Sequence, residues 1–387
     1  MLFRAFGSTG EKISILGFGC MRLPIRDGKF DLIDEETASR MLHYAVDNGV
    51  NYADTAFPYH GTSFQQGGMS EIFLGRALQN GYRDRINLAT KLPSWLVKSR
   101  GDMDFYLDRQ LERLQTDHID FYLLHGLNAH EWINLRQLGV FEFLDAALAD
   151  GRIRYAGFSF HDELSLFKEI VDAYDWSFCQ IQYNFMDEYY QAGREGLEYA
   201  AARGLGVVVM EPLRGGSLTA RIPEAAIKVW EQAEVRRSPA EWALRFVWNH
   251  PAVGVVLSGM TTMEHVLENC RIAGEAYPET LTESESALFE KVKEIYRSKT
   301  RVACTGCNYC MPCPQGVNIP GNFEFFNNAF MYDDLKGTRQ RYNFLKMGKA
   351  DAANCTQCGA CEEKCPQKIK IRETLVEVMN TLDMART

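Results

Sequence analysis

Eight short apolar runs alternate with eight amphipathic segments between Ile13 and about residue 274, and few folds accept that order. The runs are ISILGFG (13–19), NYADTA (51–56), INLATK (86–91), IDFYLLH (119–125), IRYAGFS (153–159), FCQIQYN (178–184), GVVVMEP (206–212) and VGVVLSG (253–259). Each is short, rich in β-branched or aromatic residues and apolar at consecutive positions, as strands buried on both faces are. The segments between them carry helical periodicity. DEETASRMLHYAVDNG (34–49) puts Ala38, Met41, Leu42 and Ala45 on one face, opens on acids and stops at Gly49. Eight strand–helix pairs over about 260 residues predict an α/β fold of the (β/α)8 TIM-barrel kind. A doubly wound open sheet would announce itself by a glycine-rich first turn, and GFGCMRLP does not match G-x-G-x-x-G. Residues 1–12, with the turn GSTGEK, are expected to form a hairpin that plugs the barrel floor.

A polar helical segment at 281–302 leads out of the barrel, and the domain boundary is expected near Ser298, giving domains 1–298 and 299–387. With 46% hydrophobic residues the chain can bury a sizeable core. Its 42 basic and 51 acidic residues give a net charge of −9 with no basic run, which argues against a nucleic-acid footprint. No apolar stretch approaches the roughly 20 residues that span a bilayer. The opening MLFRAFGSTGEK lacks the charged and apolar regions of a signal peptide. A cytoplasmic protein that binds no membrane is expected. In a reducing cytosol, clustered cysteines are metal ligands rather than disulfides.

In such a barrel the C-terminal strand ends face the active site. Asp54, Lys91 and His125 each end a different run, and Tyr59 follows Asp54 in the next loop. A charged residue ending a buried strand is costly unless paired, so Asp54 and Lys91 are expected to neutralise each other. One such pair alone could as well be a structural ion pair. A lysine beside Tyr59 favours the phenolate and makes the tyrosine a usable general acid near neutral pH. His125 could hydrogen-bond a substrate carbonyl. Together the four suit carbonyl reduction, in which a hydride reaches carbon and a proton reaches oxygen.

The stretches YADTAFPYHG, LATK, DFYLLH, GFSFH, CQIQYN and MEPLRGG resemble, in order, the signatures of the aldo-keto reductase family over roughly residues 1–280. The resemblance implies the same barrel and a nicotinamide dinucleotide, NADP or NAD. It implies Tyr59 as proton donor, Lys91 and Asp54 as its tuning pair, and His125 as the residue orienting the carbonyl. It assigns Ser159 and Gln180 to the carboxamide and Gly19, Cys20 and Met21 to the first cofactor loop, with Asp54 close by. Met210, Pro212 and Leu213 match the cofactor-lining end of the seventh strand. SGMTTMEHVLEN matches the phosphate-binding loop and helix N-terminus, with Gly259, Thr261 and His265 in it and Glu268 and Asn269 near adenine. The sequence also departs from the family. Met210 stands where many members stack an aromatic ring. Gly259 and His265 stand where Lys and Arg usually hold a 2′-phosphate, so the choice between NADPH and NADH stays open. FQQGGM (64–69) lengthens the loop before Ser70.

Eight of the eleven cysteines lie between 304 and 365. The second run, Cys355-x2-Cys358-x2-Cys361-x3-Cys365-Pro366, has the spacing of a bacterial [4Fe–4S] run, whose fourth cysteine ligates the other cluster. The first run, Cys304, Cys307, Cys310 and Cys313-Pro314, is one residue shorter before its last cysteine. Two [4Fe–4S] clusters are expected, one held by Cys304, Cys307, Cys310 and Cys365, the other by Cys355, Cys358, Cys361 and Cys313. A zinc ribbon would need two pairs rather than two quartets. Between the runs, NFEFFNNAFMY and TRQRYNFLKMG have helical patterning. The tail resembles the small, mainly α-helical dicluster ferredoxin modules of some multi-subunit oxidoreductases. Cys179 and Cys270 are expected to be structural.

The combined expectation is an NAD(P)-dependent oxidoreductase. Its barrel reduces a small-molecule carbonyl or oxidises an alcohol, and its two clusters transfer electrons or dock a redox partner protein. A hydride carries two electrons and a cluster passes one, and no flavin motif is present to mediate. The alternative is a redox-sensing or electron-carrier protein whose barrel binds nicotinamide nucleotide without turnover.

Overall fold

The computed structural model describes residues 1–383 except 64, 220 and 221. Phe64 of the lengthened loop and the last four residues of the expected second domain therefore lie outside the described residues. The chain separates into two compact units, Met1–Pro212 with Ala243–Thr280, and Leu213–Trp242 with Leu281–Thr387. The exit helix Glu283–Lys299 thus belongs to the second unit, whereas the boundary read from sequence lay near its end.

In the first unit, β1 (Phe3–Ala5) and β2 (Lys12–Ser14) pair antiparallel. The barrel strands follow: β3 (Leu16–Gly19), β4 (Tyr52–Asp54), β5 (Asn87–Leu92), β6 (Ile119–Leu127), β7 (Ile153–Phe160), β8 (Phe178–Gln182), β9 (Gly206–Met210) and β10 (Val255–Ser258). They close in the order β10-β3-β4-β5-β6-β7-β8-β9, each pair parallel. The expected TIM barrel is what forms. Its floor is aromatic: Phe6, at the end of the hairpin, packs with Tyr52, Phe121 and Phe178, and meets the Phe121 ring edge-on at 5.3 Å. The hairpin therefore plugs the barrel as expected. The run ISILGFG is not one strand, however. Ile13 and Ser14 belong to the hairpin, and the barrel strand begins only at Leu16. Residues on both sides of Ile15 are buried, so the apolar run itself carries no mark of the change of partner.

The helix Glu35–Asp47 is capped by Asp34 and buries Ala38, Met41, Leu42 and Ala45, as its periodicity predicts. Helices at Ala129–Gln137 and, in the second unit, Glu224–Trp230 and Ile371–Leu382 had no counterpart in the reading of the sequence. The second unit also holds the two helices expected between the cysteine runs, Ile319–Met331 and Leu335–Met347. Its own core joins Phe323, Phe326, Tyr342, Leu375 and Val378, with Cys365 buried among them. Among the described residues no helix is long and apolar enough to cross a membrane.

Candidate active site and cysteine centre

Parallel register sets the strand ends side by side: Gly19 pairs with Asp54, and Lys91 with Leu123 of the next strand. The Lys91 ammonium is fully buried and lies 2.8 Å and 2.7 Å from the two Asp54 carboxylate oxygens. It also donates to Thr55 O at 2.7 Å and to the Tyr59 hydroxyl at 3.3 Å. The Tyr59 ring stands edge-on to the His125 ring, centroids 6.1 Å apart, and the Trp95 ring centroid lies 5.2 Å from that of His125. The four residues singled out in the sequence are thus brought together.

Burial pushes the Asp54 carboxyl up and the Lys91 ammonium down, and each charge opposes the shift of the other. A pair this close in a dry site is held as an ion pair by two short contacts, and removing either partner would strand the other. Burial, then the charges of Lys91 and His161, holds His125 well below the usual imidazole value, so it is neutral at pH 7. A neutral imidazole can donate one hydrogen bond to a carbonyl oxygen.

Local structure aims these groups. Ser70 N, at the start of the helix Ser70–Ala77, donates to Tyr59 O. That close return needs Gly68, because a Cβ there would sit 2.0 Å from Tyr59 O. After His125, Gly126 takes φ +63° and the β6–β7 register shifts between Leu124 and Leu127, a bulge that turns the strand end. Gly126 N donates to Ser159 Oγ at 2.7 Å.

A second buried network lies behind the lysine and was not anticipated. Glu71, with no exposure, accepts from Thr90 Oγ1 and Gln110 Nε2, both at 2.7 Å, and from Arg113 Nε at 2.8 Å. Gln110 Nε2 also donates to Lys91 O at 3.0 Å, and Tyr122 donates to Gln110 Oε1 at 2.9 Å. Arg113 reaches Gly68 O as well, so one network ties the Lys91 backbone to the Tyr59 loop. The available signal was a glutamate directly after the N-terminal serine of a short helical segment whose other charge is Arg76.

Of the expected cofactor residues, Gly19, Ser159, Gln180 and Met210 stand at or near the C-terminal ends of their barrel strands. Gly19 ends β3, and Cys20 and Met21 open a single 3-10 turn. Burial and then Asp54 push the Cys20 thiol up, so it stays protonated. Ser159 and Gln180 are paired neighbours on β7 and β8. Gln180 Oε1 is buried without a hydrogen-bond partner among the described residues, while its Nε2 lies 3.5 Å from the Met210 sulfur. An unsatisfied buried amide oxygen is costly and calls for a donor, and a nicotinamide carboxamide supplies one. Met210 ends β9, and Pro212 and Leu213 stand on either side of the unit boundary. Gly259 packs against the Arg22 side chain, so that a Cβ there would meet it at 3.2 Å. Thr262 caps the helix Met263–Ile272, and Thr261 Oγ1 lies 3.3 Å from His265 Nδ1 at its exposed start. Glu268 is half-buried on that helix. Asn269 is buried and donates to Ser258 Oγ at 2.9 Å, an anchoring contact for the end of β10.

In the second unit the cysteine runs form two copies of one backbone device. Residues two and four places after the first cysteine have positive φ in both: Gly306 and Asn308, Gln357 and Gly359. The N–H two places on points at the first sulfur in both, Gly306 to Cys304 and Gln357 to Cys355, each at 3.4 Å. Three residues past the fourth cysteine comes another positive φ, at Gly316 and Lys368, closing a turn onto Cys313 O and Cys365 O. A helix then starts at Ile319 and at Ile371.

Cys313, Cys355, Cys358 and Cys361 line one hollow, together with Arg372 and Leu375. Burial and the neighbouring thiols of Cys307, Cys304, Cys365 and Cys361 push the Cys310 thiol up. The fourth cysteine of the first run thus stands with the first three of the second, and Cys365 is near enough to Cys310 for its charge to act there. Among the described residues no three such groups converge on a point within reach of a single metal ion. Sulfurs spread around a hollow, with backbone N–H groups aimed at them, fit a polynuclear cluster. Cys179 is buried in β8, and burial pushes the half-buried Cys270 thiol up to about 11.

Residues 15–294 match the family model described as the aldo/keto reductase family, and residues 303–369 match a 4Fe-4S dicluster domain. The Bacillus subtilis oxidoreductase YqkF is 30% identical over 329 residues, which is 76% of this chain and 98% of its own length. L-galactose dehydrogenase of Arabidopsis thaliana is 28% identical over 326 residues, covering 76% of this chain and 95% of that protein. Among solved structures, the holo form of an aldo-keto reductase from Bacillus halodurans superposes with a TM-score of 0.60 at 30% identity, over 76% of this chain and 96% of that one.

Proposed function

The chain belongs to the aldo/keto reductase family and ends in a 4Fe-4S dicluster domain, and from that premise we propose an NAD(P)H-dependent oxidoreductase that interconverts a small-molecule carbonyl and its alcohol in the barrel. The reading rests on one observation above the others: the Lys91 ammonium touches both Asp54 and the Tyr59 hydroxyl, with His125 alongside. The nicotinamide, when bound, supplies the hydride in the reducing direction. Tyr59 gives its hydroxyl proton to the substrate oxygen, so that carbonyl, hydride and proton sum to the alcohol. Lys91 stabilises the phenolate left behind, and Asp54 fixes the lysine. Neutral His125 donates a hydrogen bond that orients the carbonyl.

Ser159 and Gln180 would hold the carboxamide, supported by the orphaned Gln180 Oε1. Gly19, Cys20, Met21, Met210, Pro212, Leu213, Gly259, Thr261, His265, Glu268 and Asn269 would line the rest of the dinucleotide. The relative named for a dehydrogenase supports counting alcohol oxidation beside carbonyl reduction. In the tail, taken as residues 299–387, the crossed quartets would hold two clusters, which when bound exchange single electrons, and a redox partner is the natural recipient.

The test is anaerobic oxidation of NADPH and of NADH with a panel of aldehydes and quinones, for wild type and Tyr59→Phe. The expected loss in the variant is about 10²- to 10⁴-fold. Absence of tyrosine-dependent turnover with every substrate would end the reductase reading.

A further inference from the structure

The two cysteine loops share a backbone but not their charges. Aligned on that backbone, the residue after the third cysteine is Met311 in the first copy and Glu362 in the second. The second residue of the following helix is Pro320 in the first copy and Arg372 in the second. Glu362 and Arg372 are joined three times: Arg372 N donates to Glu362 Oε1, and Arg372 Nε and Nη2 each lie 2.8 Å from Oε2. Arg372 lines the hollow walled by Cys313, Cys355, Cys358 and Cys361, and Glu362 is not among the lining residues. Thus one carboxylate oxygen holds two guanidinium nitrogens, and the guanidinium lies beside Gly359 of the hollow's wall, where a Cβ would stand 3.8 Å from its carbon.

We propose that Arg372, clamped by Glu362, tunes the reduction potential of the cluster held by Cys313, Cys355, Cys358 and Cys361, and sets it apart from its twin. This rests on the two-cluster reading of the tail. Reduction adds one electron to a bound cluster, and the sulfur-ligated site becomes one unit more negative. A fixed cation beside it favours the reduced form and raises the potential, because net charge and exposure are among the terms that set it. The Arg372 side chain is 47% exposed, so water and salt screen part of the effect and the shift should shrink at high ionic strength. Glu362 opposes the cation, so the two side chains should act with opposite signs.

The experiment is an anaerobic titration of the full-length holoprotein with dithionite, followed by electron paramagnetic resonance, with iron and sulfide measured on every sample. Arg372→Gln is expected to move one midpoint to more negative potential and leave the other in place. Glu362→Gln should move the same midpoint the opposite way, and Arg372→Lys, which keeps the charge but loses the two-nitrogen contact, should shift it less than Arg372→Gln does. If Arg372→Gln fails to hold its iron, the Glu362→Gln and Arg372→Lys pair decides. Midpoints that do not move, that move together, or that move the same way in Arg372→Gln and Glu362→Gln overturn the proposal. Wild type with much less than about eight iron per chain would instead overturn the two-cluster reading itself.

Discussion

The barrel brings four residues together and the tail gathers two runs of four cysteines, but they reach across the sequence differently. Asp54, Lys91 and His125 come from β4, β5 and β6, and each is delivered by a strand whose position is fixed by its neighbours. Their site needs the whole barrel and its buried ion pair, and the side chains already touch without any ligand. Cys304, Cys307 and Cys310 lie on a single loop, as do Cys355, Cys358 and Cys361, and in the proposed quartets only the fourth cysteine of each comes from afar. The tail's geometry is local and repeated, so an inserted or altered loop residue can differentiate its two halves. The barrel's geometry is global, so its tuning lies in buried networks.

The largest effect that would sharpen this contrast is expected from Lys91→Met. It leaves Asp54 buried and unpaired, which costs about 3–5 kcal/mol of stability, and it removes the cation beside Tyr59. Chemical denaturation checks the first effect and turnover the second. A variant as stable as wild type would break the account of a global, ion-paired site. The smaller second test is Gln110→Ala, which removes the tie to Lys91 O and leaves Glu71 and Tyr122 short of a partner. A loss of about 1–3 kcal/mol is expected. Turnover should fall through kcat with KM little changed, because Gln110 positions Lys91 and is fully buried. Iron content should be unaffected.

The smallest effect concerns pH. His125 is held well below the ordinary imidazole value. Above that ordinary value neither the folded nor the unfolded chain protonates it, and its stabilising contribution is complete. As pH falls below about 6.5, the unfolded chain takes up a proton that the fold refuses, so stability declines by up to about 1.4 kcal/mol per pH unit from this residue. His60 and His250 are also shifted down by burial and add to the same decline. Denaturation between pH 7 and pH 5 should show a shallower slope for His125→Asn than for wild type. Equal slopes would show that the imidazole protonates freely in the fold.

What the sequence disclosed follows the same division. Strand-end residues were legible because a charge closing an apolar run is conspicuous, and the cysteines because their spacing is ligand geometry written locally. The Glu71, Gln110 and Arg113 network was not legible. Gln110 and Arg113 sit in the mostly polar helix Arg100–Leu114, and their partner lies 39 and 42 residues away. The split of ISILGFG at Ile15 leaves no mark in the sequence because burial is continuous across it. The bulge at Gly126 depends on a register that forms only when β6 meets β7. In the tail, the pairing of Glu362 with Arg372 spans ten residues across a turn, and it stands out only once the two loops are overlaid.

The barrel is expected to complete a two-electron reaction with its own proton donor. The most direct measurement mixes the wild-type holoprotein anaerobically with reduced nicotinamide, first alone and then with a carbonyl that supports Tyr59-dependent turnover, while nicotinamide and cluster absorbance are recorded together. Nicotinamide alone is expected to leave the cluster absorbance unchanged, and one alcohol should then form for each nicotinamide oxidised. Clusters bleached by nicotinamide alone, with less than one alcohol formed per nicotinamide, would contradict that expectation.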